Sequence, residues 1–225
     1  MSTEKSAQLT PLVIVGAGGF GREVLDVVEA VNAVQPTYDV LGFIDDGIDD
    51  VNLRRITARG LSHLGSVADH LDGPRAGTAY VIGIGGTATR RSLAARFDAA
   101  GAAAATLVHP SSTHGAGVSL GAGTVVCAGV RLTTNIVVGR HVHLNLNVTV
   151  GHDTTIGDHV SINPLASISG DCHLEDGVLV GVAGVVLNGL RVGADATVGG
   201  SACAVRDVAP GTTVVGVPAK PLPSR

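Results

Sequence analysis

At 225 residues, 45% hydrophobic and formally −4 at neutral pH, the chain can bury a sizeable core in one large or two compact domains; it has no Lys/Arg cluster of the kind that nucleic acid or an anionic membrane surface requires. Aromatics make up only 2% against 32 Gly, with no Trp, which excludes an ordinary ring-packed core and favours tightly coiled strands filled with Val, Ile, Leu and Ala. Three Cys (Cys127, Cys172, Cys203) with no C-x-x-C pair, no signal-like leader and no apolar run of membrane-spanning length point to the reducing cytoplasm.

In chain order, the polar stretch Met1 to Thr10 reads as a frayed end. A first strand, Leu12-Val13-Ile14-Val15, runs into Gly16-Ala17-Gly18-Gly19-Phe20-Gly21. A helix follows from about Arg22 to Val31, with Val24, Val27, Val28 and Val31 on one face. A second strand, Val40 to Ile44, ends at Asp45-Asp46, and a third, Ala79 to Ile84, ends at Gly85-Gly86 before a helix from Thr87 to about Ala100. This alternation predicts a parallel sheet, a Rossmann-like α/β domain over 1–108. Gly16-x-Gly18-x-x-Gly21 with Asp45 at the end of the second strand fits the dinucleotide fingerprint. The βα units are too few for a full dinucleotide fold, and the loop's N–H groups can equally cradle a sugar-nucleotide pyrophosphate or simply form a tight turn.

The grammar then changes. From Leu120, every sixth residue through Val126, Leu132, Val138, Leu144, Val150 and on to Val198 is aliphatic, fourteen positions in a row, where about a third would be expected. The residue four further on, from Thr124 and Val130 to Ala202, is small or aliphatic too. No α-helix or coiled coil has a six-residue hydrophobic period. Each hexad reads as a short strand plus a turn, and three hexads make one triangular coil. The residue after the inward aliphatic is often Gly or Asn, as at Gly121, Gly139, Asn145, Gly151 and Asn163, and reads as the corner. The expected second domain is an all-β parallel β-helix over 109–225 with a C-terminal tail; the period does not give its hand.

The hexad run, the Gly-rich loop, Phe43-Ile44-Asp45-Asp46, Val150-Gly151-His152-Asp153 and Val215-Gly216-Val217-Pro218-Ala219-Lys220 together resemble the hexapeptide-repeat sugar acetyltransferases, the sialic acid O-acetyltransferase and bacillosamine/perosamine N-acetyltransferase group. The resemblance implies a left-handed helix, a homotrimer, acetyl-coenzyme A in the groove between subunits, and a nucleotide-linked amino sugar on the front domain. It makes His152 the general base and Asp153 its acidic partner, places Asn145 near that His, and aims the N–H of Gly170 at the thioester carbonyl. Val182 and Gly200 match positions lining the coenzyme; Gly18, Gly19, Phe20, Asp45, Asp46 and Gly85 match the substrate-side loops. The chain departs from relatives at Phe20, where a His is frequent, and at Ser161, where a second His near the coenzyme is frequent.

The residues agree with that chemistry. An amine attacking a thioester must lose a proton, and imidazole titrates in the right range. His152 stands beside Gly151 and should project outward, and a neighbouring carboxylate favours its charged form. Gly170 lies three hexads on, one coil away at about 5 Å. Lys220 is a candidate for the coenzyme phosphates or a solvated tail charge. His141 and His159, and Asn145 and Asn163, should stack as ladders rather than hold metal, and His109-x4-His114 lacks a third ligand, so no metal is expected. Cys172 takes an inward position, which favours direct transfer over an acyl-thioester intermediate. N-acetylation of an amino sugar is the expected reaction and O-acetylation of a sialic acid-type sugar the alternative. A nicotinamide oxidoreductase and a non-catalytic β-helix are the more distant ones.

Overall fold

The computed structural model describes residues 9–73 and 77–222; most of the leading stretch read as frayed lies outside them. The front domain runs β1 (Thr10–Val15), α1 (Gly19–Val34), β2 (Tyr38–Ile44), α2 (Asp50–Thr57), α3 (Val67–Asp72), β3 (Ala79–Ile82), α4 (Thr87–Ala99) and β4 (Ala103–Ala104). Its sheet is parallel in the order β2-β1-β3-β4, so the chain reverses direction of travel between β1 and β3. The Gly-rich loop after β1 and the Gly83–Gly86 loop after β3 meet at that switch point, where open α/β sheets bind ligands. Two glycines make the meeting possible: a Cβ on Gly21 would sit 1.8 Å from the Gly16 oxygen, and one on Gly83 would sit 2.5 Å from the Gly21 Cα.

The winding begins at Leu107–Val108, before the first hexad counted from Leu120. Two-residue strands pair in parallel with partners three hexads along the chain, as in Val125↔His143, His143↔Ser161 and Ser161↔Leu179. They form three faces of eight, six and five strands. The inward aliphatics from Val126 to Val198 are at most 3% exposed and stack into one core. Each such side chain stabilises the prism by about 1.5–3 kcal/mol. Leu120, at the first coil, is only partly buried.

The corners differ from the expectation. The left-handed residue is the third after the inward aliphatic: Asn135, His141, Asn147, Asp153, His159, Leu165 and Asp171 all have φ between 53° and 64°. Asn, Asp and His tolerate that conformation better than other side chains, whereas Leu165 and Ala183 carry strain there. The Gly directly after the aliphatic serves close stacking instead. A Cβ on Gly151 would lie 2.4 Å from the Gly170 nitrogen, and one on Gly121 would lie 2.4 Å from the Gly139 carbonyl carbon.

The front domain rides on the eight-stranded face, where Leu107, Val125 and Cys127 share a core with Leu12, Ile14 and α1. It also covers the corner holding residues 139–142 and 157–160, the covered corner. Arg90, fully buried, joins the domains there. Its Nε donates to His141 O (2.8 Å), Nη1 to Ile84 O and Gly85 O, and Nη2 to His159 O and Ser161 Oγ. A second corner (145–148, 163–166, 181–184, 199–202) is the open corner. The third (133–136, 151–154, 169–172) lies opposite the eight-stranded face and is the far corner. After Ala204 the hexads stop; Thr213–Val215 and an antiparallel Lys220–Pro221 finish the winding.

Candidate active site

His152 stands at the far corner with 62% of its side chain exposed. Its Nδ1 lies 2.8 Å from Asp153 Oδ2. An ionised carboxylate only accepts, so Nδ1 carries a proton, and in the neutral imidazole Nε2 is then the nitrogen with the bare lone pair. Asp153 takes the left-handed corner conformation, φ 59°, and its N–H donates to Thr134 O one coil away. Asn135 Nδ2 donates to Asp153 Oδ1 at 3.0 Å. The bonds from Asn135 and then His152 hold the Asp153 carboxyl below the usual carboxylate range.

Gly170 forms the floor of this arrangement. A Cβ there would lie 2.5 Å from His152 Nε2, so only glycine lets the imidazole lie against the next coil. Among the described residues, nothing accepts from the Gly170 N–H. A ring nitrogen of His152 thus lies against a residue whose backbone donor is unused.

The other expected residues fall into separate groups. Asn145, Val182 and Gly200 lie on the open corner, away from His152. Asn145 is 7% exposed and its Nδ2 donates to Ile162 O, while Val182 and Gly200 reach the surface. Lys220 is exposed in the tail hairpin. Ser161 is 2% exposed inside the domain junction, accepting from Arg90 and donating to Gly85 O. A cavity of about 510 Å³ lies at the C-terminal end of the apolar core, between Ala204, Val208 and Val214 and the tail residues Pro218 and Lys220.

On the front domain, Gly18 and Gly19 face open space at the start of α1. A cavity of about 160 Å³ lies at the switch point between Gly16, Asp45, Ile84 and Thr89. Both Asp45 oxygens are engaged by backbone, Oδ2 with Ala17 N (2.8 Å) and Oδ1 with Gly47 N (2.9 Å). The acidic residue of the dinucleotide reading thus ties the Gly-rich loop down rather than standing free for a ribose. Asp46 accepts from Val67 N at the start of α3. Phe20 packs its ring 4.5 Å from that of His143.

His141 and His159 stack as the spacing predicts, rings 5.5 Å apart and 1° from parallel. Cys172 is 2% exposed, and burial pushes its thiol above the ordinary range. Among the described residues no three His, Cys, Asp or Glu side chains cluster as a metal site needs.

Residues 11–97 match the family described as the PglD N-terminal domain. The whole fold superposes on WeeI from Acinetobacter baumannii with TM-score 0.83 and 31% identity, over 94% of this chain and 99% of that one. The chain belongs to the hexapeptide-repeat sugar acetyltransferases with a PglD-type front domain. Two structures described as acetyltransferases or their substrate complexes also align over nearly the full chain. PerB from Caulobacter crescentus, in complex with CoA and GDP-perosamine, has TM-score 0.84 and 25% identity over 95% of this chain and 97% of that one. The acetyltransferase domain of PglB from Neisseria gonorrhoeae, with acetyl coenzyme A, has TM-score 0.81 and 26% identity over 96% and 100%. A 71-residue stretch, 32% of the chain, is 41% identical to UDP-3-O-acylglucosamine N-acyltransferase of Methylorubrum extorquens; the chain spans about a fifth of that enzyme's length. No described helix is long and apolar enough to cross a membrane.

Two residues that make these contacts escaped the sequence. Asn135 sits three hexads before Asp153, so the coil length already paired them. Arg90 lies in an Ala- and Arg-rich helix with no pattern to mark it as the one that turns inward.

Proposed function

We propose that the protein transfers the acetyl group of acetyl-coenzyme A to the amine of a nucleotide-linked amino sugar. The observation that carries this is His152 Nε2, left bare by the Nδ1–Asp153 contact and lying over Gly170. The sugar nitrogen attacks the thioester carbonyl while Nε2 takes its proton. The Gly170 N–H donates to the oxygen that becomes negative. When the C–S bond breaks, the imidazolium returns the proton to the leaving sulfur, giving the amide and free coenzyme A.

The layout of the prism supports a site shared with a second copy. The front domain covers the face opposite the far corner, so the sugar-side loops and His152 of one chain lie on different sides of the prism. The open corner, with Asn145, Val182 and Gly200, is likewise apart from His152. A homotrimer brings the far corner of one chain against the open corner and front domain of the next, with the coenzyme in the groove between them. Leu146, Leu165 and Val182, exposed on the open corner, supply apolar surface for that contact. The nucleotide phosphates dock on the N–H groups at the start of α1, beside Gly18, Gly19 and Gly85. Ser161 belongs to the domain junction, and Lys220 is free to meet coenzyme phosphates.

The test is free-thiol release from acetyl-coenzyme A with a panel of amino-sugar and hydroxyl-sugar nucleotides. Wild type turns over an amine acceptor, and His152→Ala loses about 10²–10⁴ in rate. Turnover of hydroxyl acceptors alone would replace N- by O-transfer; no thiol release with any sugar would overturn the proposal.

A further inference from the structure

We infer that Asn135 is a positioning residue for His152, acting through Asp153 and touching no substrate; this rests on the base role proposed above. The geometry is a directed chain across two coils. Asn135 Nδ2 reaches Asp153 Oδ1 at 3.0 Å, and Asp153 Oδ2 meets His152 Nδ1 at 2.8 Å. Because both carboxylate oxygens only accept, the Asn135 amide must present its NH2 to Asp153 and its oxygen to the opposite side. That side is prepared: a Cβ on Gly117 would come within 2.7 Å of Asn135 Oδ1, so the bare Gly117 backbone leaves room for the amide.

The chain has a purpose that packing does not explain. The side chains of Asp153 and His152 are both more than half exposed. An exposed carboxylate with a single partner rotates freely. With Asn135 gripping one oxygen and the backbone held by the bond from Asp153 N to Thr134 O, the second oxygen stays aimed at Nδ1. That aim selects the tautomer with Nε2 bare, the one that accepts a proton. Both bonds, that from Asn135 and that from His152, hold the Asp153 carboxyl below the usual carboxylate range and so keep it an acceptor.

Asn135→Gly is the clean variant. Asn135 has φ 56°, which glycine adopts freely, and the same hexad position is already glycine at Gly117, Gly177 and Gly189. The amide is lost without new backbone strain. In acetyl transfer, Asn135→Gly is expected to lower kcat about tenfold with KM for both substrates unchanged. On an Asp153→Ala background the same substitution is expected to do nothing further. In the substrate-free protein, ¹⁵N shifts of the His152 imidazole are expected to show one neutral tautomer in wild type and a mixture in Asn135→Gly. Equal losses on both backgrounds, or an unchanged tautomer, would overturn the inference. The imidazole measurement needs no substrate, so it decides the role of Asn135 even if no sugar is turned over and the proposed reaction fails.

Discussion

At the covered corner, His141 and His159 stack beneath the front domain; at the far corner, His152 stands in solvent beside Asp153. All three sit in the same kind of turn, on the same coil geometry, within a single coil's length of sequence. Their chemistry diverges because of what lies above them. Tyr80 and Arg90 exclude water from the covered corner, and burial, reinforced by His159 and Arg140, drives the His141 imidazole down to about 4. His159 is lowered mainly by burial as well. Held neutral, that pair packs, and the backbone carbonyls behind it receive the Arg90 guanidinium. At the far corner the ring is more than half exposed, and among the described residues the side chain bonded to it is a carboxylate. The turns of the winding thus hold a histidine at either of two neighbouring positions, and the front domain decides whether the ring is buried or left in solvent.

Substitutions that strike each corner sharpen this contrast. The largest stability effect belongs to Arg90→Ala, which leaves several carbonyls at the domain junction without a donor. Chemical denaturation should show a loss of about 3–5 kcal/mol, with thiol-release chemistry at the far corner changing only as the front domain loosens. At the far corner, Gly170→Ala pushes a methyl into the His152 ring; kcat is expected to fall about 100-fold with little change in melting temperature. A smaller effect concerns acid. The unfolded chain binds a proton at His141 near 6.5, while the folded chain refuses it until about 4, so the folded form loses stability as pH falls through that window. His141→Gln should flatten the pH dependence of the melting temperature between those values. Smallest of all, Arg91→Ala removes an exposed ion pair with Asp195 and should shift stability by less than about 0.5 kcal/mol.

The winding was legible because its signal is redundant: a slipped hexad at Val150 or Ile168 would have put a polar residue in the core. The βαβ order and the Gly-rich loop were legible from punctuation. The corner chemistry was not, because a glycine signals backbone freedom and forbidden bulk alike, and at Gly121 and Gly151 it is bulk that is forbidden. Close approach between coils leaves no mark in a single repeat; it shows only when residues one coil apart are compared. The same blindness hid Asn135 behind Asp153. Ser161 was illegible for a different reason. Its place relative to His152 suggested the coenzyme, but the domain junction claims that face, and no periodicity within the winding reveals where another domain will land.

Because every strand rests on one from the coil before it, the prism can change height only by whole storeys. Inserting one residue between Leu107 and Ala204 would rotate every later side chain out of line, whereas inserting a complete coil would lift the tail hairpin by a single strand spacing, about 4.8 Å, and leave all contacts below intact. Arg90 grips the storeys of His141 and His159 together, so added storeys are tolerable only above it. The molecule is in this sense a ruler graduated in coils, with His152 fixed near the level where the front domain is clamped.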